Sequence, residues 1–439
     1  MKNVYFFLLF SMMASLTVAV SSCSKDDDGE SGNRPDENYP EVKRETPQPY
    51  DFRADGVFYK VLPKDKMVVV TGGDTYYVGD MSIPSTVEYG GYTYTVTEIA
   101  DDAFHDCVNL RSLTIANSVK KIGYQAFYQC GRLSKLVLPA DLEELSNSMC
   151  LGCSQLVDLT LPSRLRILSP VAFAGCVSLT SVTLPESLEE IGNDAFNNCS
   201  ALTSVVVPQR VRKIGSGVFH GCVSLVSISL PDNLSAIENS CFATCSKLSE
   251  ITLPDGIESI GTDAFANCES LTRLTIPNTV TFIDSRAFAG TAITSADIPS
   301  SVKRVGGGLF SGCSQLTSIT SWPYWAITDQ TFRNCTALVE INIPEGVQVI
   351  ESQAFDGCVN VQTIKLPKTI SRLEYWAFKD YQHLKDVYCY SNEVPVTGSS
   401  PVFAESYPQY ATLHVPASAI EAYQSAMTWS EFGNIVALP

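Results

Sequence analysis

Histidine is scarce in this sequence: His105, His220, His383 and His414 are the four among 439 residues. There is no H-E-x-x-H, no G-x-S-x-G and no phosphate loop, so the common zinc-hydrolase, serine-hydrolase and nucleotide chemistries lack their residues. The "GGG" at Gly306–Gly308 sits in a bend and reads as a turn. Basic charge is short as well. Thirty Lys and Arg against 47 Asp and Glu leave a net charge of −17. That balance excludes a strong grip on nucleic acid and disfavours broad binding to anionic lipid. Beyond Val20 no apolar run is long enough to span a bilayer.

What is present begins at the amino terminus. Lys2 precedes "VYFFLLFSMMASLTVAV" (Val4–Val20), and Ser21 and Ser22 follow. A basic start, an apolar run and small residues make a secretory signal. The run is slightly shorter than the roughly 20 residues of a membrane helix, which leaves an uncleaved anchor as the alternative. "VSSC" (Val20–Cys23) resembles the lipobox of bacterial lipoproteins. That resemblance implies cleavage after residue 22 and acylation of Cys23, each buried methylene contributing about 0.8 kcal/mol to anchoring. "SKDDDGE" (Ser24–Glu30) is similar to the acidic export signal of surface lipoproteins in Bacteroides-type bacteria; the plainer reading is a solvated linker. Residues 23–49, rich in Pro and charge, are expected to form a flexible tether. The expected location is the outer membrane, exposed at the cell surface, with membrane contact only through the lipid on Cys23.

A repeat then takes over. "CVSLTSVTLPESLEEIGNDAFNN" from Cys176, "CSALTSVVVPQRVRKIGSGVFHG" from Cys199 and "CVSLVSISLPDNLSAIENSCFAT" from Cys222 share one 23-residue pattern. A phenylalanine column runs from Phe104 to Phe378, with Cys150 in the one missing place, and marks thirteen units. Fixed-period self-similarity of this length means a solenoid. "LTSVTL" (Leu179–Leu184) alternates apolar and small polar residues, as a half-buried strand does. Pro185 ends that strand, and Leu188, Ile191, Ala195 and Phe196 return towards a core that only stacked units can close. Parallel strands about 4.8 Å apart extend thirteen units over roughly 60 Å. On that spacing His105 and His220, five units apart, are separated by about 24 Å, too far to share a metal.

These units resemble the leucine-rich repeats of BspA-like (Treponema pallidum-type) surface proteins. The resemblance implies an α/β-type solenoid, right-handed, with one parallel sheet on its concave face. It also implies a β-rich amino-terminal cap over 50–98, an array over 99–385 and a mixed closing segment over 386–439.

Eleven cysteines share one column, from Cys107 to Cys358, with Thr291 and Tyr381 in the remaining places. A small, often buried residue at a fixed core position needs no redox role. Neighbouring strands lie close enough for disulfides, but an odd column of equal partners specifies no pairing. Cys150 and Cys153 form a C-x-x-C without a second pair or a nearby histidine, so no metal site and no cofactor is expected.

Two residues per strand are expected to face outward from the sheet, and most are Ser or Thr. Lys135 beside Asp158, and Glu250 beside Arg273, are expected to pair across strands. "SITSWPYWAITDQTF" (Ser318–Phe332) breaks the pattern: Ser321 and Trp322 replace Leu-Pro in a 22-residue unit. Trp322, Tyr324 and Trp325 there form either a contact patch or filling for a gap in the core. With no converged catalytic set, the expected function is non-catalytic binding of a protein ligand. The resemblance implies host matrix proteins or other bacterial cells as partners. A glycan-capture lipoprotein and an envelope assembly partner are the alternatives. If Cys23 is the acylated residue, Cys23→Ala abolishes incorporation of a clickable palmitate analogue; label retained on that variant places the lipid elsewhere.

Overall fold

The computed structural model describes residues 43–46, 48–63, 65–397 and 401–439. The signal segment, Cys23 and the acidic stretch after it lie outside the described residues. Strands β1 (Phe52–Ala54), β2 (Val57–Val61) and β3 (Met67–Thr71) form an antiparallel meander. β5 (Thr86–Tyr89) and β6 (Tyr92–Ile99) form a further hairpin, joined to β3 by parallel pairing of β6. β4 (Gly79–Ile83) leaves this sheet and pairs in parallel with Leu110–Ile115, the first repeat strand.

From there the alternating segments stack in register. Ser112, Lys135 and Asp158 are lateral partners, as are Leu113, Leu136 and Leu159 one position on. The outward member is polar and the inward one apolar, as half-burial of a pleated strand requires. This ladder divides into four sheets, interrupted where 181–183 and 272–275 form no strand and again between Ser318–Ser321 and Glu340–Asn342.

The return arm holds a second parallel ladder where a single sheet is expected. Glu98–Ile99 pairs with Lys121–Ile122. Glu144–Leu145, Ile167–Leu168, Glu190–Ile191 and Lys213–Ile214 form another run. In most of these two-residue strands the second side chain is buried and the first faces outward. Among the described residues the one α-helix is Ile420–Ser425, so the array is a β-solenoid of strands and turns. The first ladder also continues beyond the repeats: Asp386–Cys389 pairs with Thr412–Val415, which pairs with Asn434–Ala437.

The turn carrying the phenylalanine column makes a third backbone ladder. The N–H groups of Asp102, Phe104 and Asp106 all donate to the next rung, to the carbonyls of Tyr124, Ala126 and Tyr128. The same triplet recurs at Asp194, Phe196 and Asn198, which donate to Ser216, Val218 and His220. Residues two before and two after each Phe take positive φ, among them Asp102 at 54°, Asn198 at 58° and Gly221 at 72°. Gly, Asn and Asp suit that conformation; Val171, at 61°, adopts it against its branched side chain. The phenylalanine rings stack without a break from Phe173 to Phe403, neighbouring centroids 5.1 to 6.0 Å apart. Tyr77 covers Phe104 at one end, and Trp429 and Phe432 cover Phe403 at the other.

Each column cysteine is buried and unpaired. Most of these thiols donate to the phenylalanine carbonyl of the preceding rung, as Cys130 does to Phe104 at 3.1 Å and Cys222 to Phe196 at 3.3 Å. Cys176 donates to Cys150, which stands in the phenylalanine place, and Cys107, on the first rung, accepts from Arg44 and the Tyr77 N–H. Where another residue fills the column it is again a donor to a phenylalanine carbonyl. Tyr381 donates to Phe355 and Ser406 to Phe378 of the preceding rung, and Thr291 to Phe288 of its own. The column therefore selects a compact or reachable donor, which explains cysteine over alanine or valine.

The one-way turn ladder leaves carbonyls without donors at its first rung. Residues expected in the tether fill that place. Arg44 is 9% exposed, and its guanidinium donates to the carbonyls of Ala103 at 2.7 Å, Asp102 at 3.4 Å and His105 at 3.5 Å. Gln48 donates to Asp101 at 3.2 Å. Gly72 leaves room for the guanidinium, which a β-carbon would strike. The flexible-tether reading of 23–49 does not hold at Arg44 and Gln48, because composition does not reveal a buried receptor for Arg44. Arg44→Met leaves the buried Ala103 carbonyl without its donor and takes one from His105, and is expected to cost about 3 kcal/mol, measured by urea unfolding.

Burial pushes the Cys222, Cys268 and Cys358 thiols up to about 12 and that of Cys313 to about 11. All fourteen described cysteines shift in this direction. Below the ordinary thiol value both folded and unfolded chains keep the proton, and stability does not depend on these groups. Above it only the unfolded chain releases protons, so stability falls by about 1.4 kcal/mol per pH unit for each thiol. The urea midpoint is expected to fall steeply between about pH 9 and 10; a flat profile there would show that the thiols ionise in the folded state.

Candidate binding surfaces

The outward residues of the first ladder form the longest ordered surface. Over its amino-terminal half many are small and polar, such as Thr114, Ser204, Ser227 and Ser229, alongside the charged Lys135 and Asp158 and the exposed Val206. Lys135 and Asp158 are lateral partners, and their side chains pair at 2.8 Å. Both are about half exposed, so the pair contributes roughly 0–1 kcal/mol. The second expected pair does not form. Arg273 lies where the ladder lapses, and among the described residues neither it nor Glu250 makes an ion pair.

The carboxy-terminal end of this face has different chemistry. Asn342, Lys365, Tyr388 and His414 follow one another in a single lateral row. The Tyr388 and His414 rings stack 4.3 Å apart and nearly parallel. His414 Nε2 lies 2.9 Å from Asp386 Oδ1, and Lys365 donates to Glu340 at 2.6 Å. The Glu340 carboxylate, through that bond, raises the Lys365 pKa. His414 escapes a search confined to the repeats because the motif stops before it. A signal is nonetheless present in "TLHV" (Thr412–Val415), which alternates outward Thr and His with inward Leu and Val.

The aromatic unit divides. Pairing of Ala296–Asp297 with Ile319–Ser321 skips a residue, and this bulge turns Trp322 inward. Trp322 is 4% exposed, lies against Phe332 and donates its indole N–H to Ala326 at 2.9 Å. It fills the core and offers no face to a ligand. Tyr324 is half-buried with its ring 5.6 Å from Trp325. Trp325 is 49% exposed and stands at the lip of an open cleft of about 410 Å³, lined also by Asp329, Val349, Glu351, Ser352, Arg372 and Glu374. The patch of three aromatics is thus one core residue, one intermediate and one free ring. Among the described residues no three His, Cys, Asp or Glu side chains converge as a metal-binding group.

Known proteins share this architecture. A leucine-rich repeat protein from Bacteroides ovatus has a crystal structure with a TM-score of 0.67 at 23% identity, covering 89% of this chain and 100% of that one. A leucine rich cell surface protein from Faecalibacterium prausnitzii gives 0.52 at 26% identity, covering 78% of this chain and 95% of that one. The Treponema pallidum leucine rich repeat protein is 30% identical over 50% of this chain and 90% of its own, with a TM-score of 0.36. No curated protein matches the chain in sequence. The family model described as "BspA type Leucine rich repeat region (6 copies)" matches residues 86–203, 189–317 and 316–428. With most of its length so matched and its rungs stacked as a parallel β-solenoid, the chain belongs to the BspA-type leucine-rich repeat family.

Proposed function

We propose that this protein is displayed at the cell surface, anchored in the outer membrane through a lipid on Cys23, and binds other proteins without catalysis. Its partners are host matrix proteins or proteins on other cells. Residues from 23 up to the docked Arg44 segment give the spacer, shorter than the 23–49 read from composition, with 50–98 and 386–439 as the two caps and 99–385 as the array. The carrying observation is the change of chemistry along the first ladder face. A bland Ser/Thr surface ends in Lys365, Tyr388, Asp386 and His414, held in register by backbone pairing. Tyrosine and charged groups on a rigid support are what a protein contact needs at its centre. The surface location draws on the lipobox-like "VSSC" and on a structural neighbour described as a cell surface protein.

The test is capture of the soluble chain beginning at Ser24 on immobilised fibronectin, fibrinogen, collagen and a glycan panel. That start retains Arg44. The expected result is saturable binding to a protein, weakened about tenfold or more by Tyr388→Ala with His414→Ala while the thermal midpoint holds. Binding to glycans alone would replace this reading with glycan capture, and binding to neither would end it.

A further inference from the structure

The cleft beside Trp325 is not part of the first ladder face. It lies over the second ladder, where Ala326, Val349 and Arg372 are lateral partners on three successive rungs. That ladder is interrupted between Arg304–Val305 and Ala326–Ile327, so the Trp325 rung begins a new sheet. Val349 supplies an apolar wall, and Asp329, Glu351 and Glu374 face the same space. Their charge is not balanced from within. Arg372, the one cation of the lining, is held by Glu374 at 2.5 Å. Arg333, close to Asp329, is held by Asp356 at 3.1 Å. Glu351 accepts the backbone N–H of Asp329 through one carboxylate oxygen.

The molecule contains a partial copy of the same chemistry already filled. Trp376 is stacked on Tyr375, and the Lys379 ammonium sits 4.0 Å above its ring. A tryptophan face half in water is thus occupied by a lysine of the same chain. Trp325 is more exposed, has carboxylates beside it where Trp376 has its own lysine, and among the described residues carries no cation over its ring. Burial, the largest cause, also holds the Asp329 carboxyl above the usual range, a penalty on its charged form that an incoming cation would offset.

We infer that the Trp325 cleft receives a lysine or arginine side chain of a protein partner, the cation over the Trp325 ring and beside the Asp329 and Glu351 carboxylates. The inference rests on the protein-binding reading and names the partner chemistry: a basic surface loop. Attraction to the ring adds to ion pairing, and the excess negative charge of the chain favours approach of such a surface. A saccharide ring stacked on Trp325 is the competing occupant.

The experiment titrates the nitrogen-15-labelled soluble chain with capped Gly-Lys-Gly, its arginine analogue, capped Gly-norleucine-Gly and maltotetraose. The readout is the Trp325 indole N–H resonance, assigned with Trp325→Phe. The expected result is a saturable shift with the lysine and arginine peptides by about 20 mM, absent with norleucine, and weakened about fivefold by Glu351→Gln and by Asp329→Asn. The thermal midpoint of each variant shows that it is folded. No shift up to that concentration, an equal response to norleucine, an unchanged response in both folded carboxamide variants, or a response to maltotetraose in place of the peptides overturns the inference. The two readings fail separately. A chain that captures a matrix protein but gives no indole shift loses the cleft alone. One that shows the shift but captures no protein loses the adhesion reading.

Discussion

The structure depends on a hydrogen-bond ladder that runs in one direction. In the turn around each phenylalanine, N–H groups point to the following rung and the accepting carbonyls point back. Such an arrangement satisfies every interior rung and necessarily leaves two unlike ends, oxygens at the first and N–H groups at the last. A buried arginine at the oxygen end, Arg44, is the physical consequence. So is the chemistry of the turn, where positive φ on both sides of each phenylalanine accounts for the Gly, Asn and Asp that recur there.

The cysteine column follows from the same turn. Most phenylalanine carbonyls already accept an N–H within their own rung, as Phe104 does from Cys107, and can take a second donor from the next. A thiol is small enough to stack with its neighbours, apolar enough to bury and still able to donate. Thr291, Tyr381 and Ser406 keep a donor where the thiol is replaced. The donor role accounts for the cysteines by packing and hydrogen bonding, and burial holds their thiols protonated.

Regularity also limits what the surface can recognise. Identical rungs present identical residues, and a row of Ser and Thr offers little to discriminate one partner from another. Recognition needs breaks in the pattern. Two breaks stand out, the Tyr388–His414 end of the first ladder and the bulged unit that turns Trp322 in and leaves Trp325 out. At the first the strand ladder runs on to Asn434–Ala437, and at the second, where both strand ladders break, the turn ladder continues through Phe310 and Phe332, so the unusual side chains are held on hydrogen-bonded backbone. That is the arrangement a binding site requires, since ordering the site adds little to the cost of association.

The repeat by itself determined the solenoid, its 23-residue period, its inward Leu, Ile and Phe columns and the first ladder, because each depends on a local pattern applied many times. The Lys135–Asp158 pair was legible for the same reason, being one period apart in register. Tertiary structure alone decided the rest. The second ladder rests on two residues per rung, too short for a periodicity to show. Glu250 and Arg273 share the spacing of the first pair, yet the lapse of the strand separates them. One skipped residue decides which tryptophan is core and which is surface, since a slip of one reverses the faces of a strand. Arg44 finds its receptor almost 60 residues away, through carbonyls that become acceptors only when the turns stack.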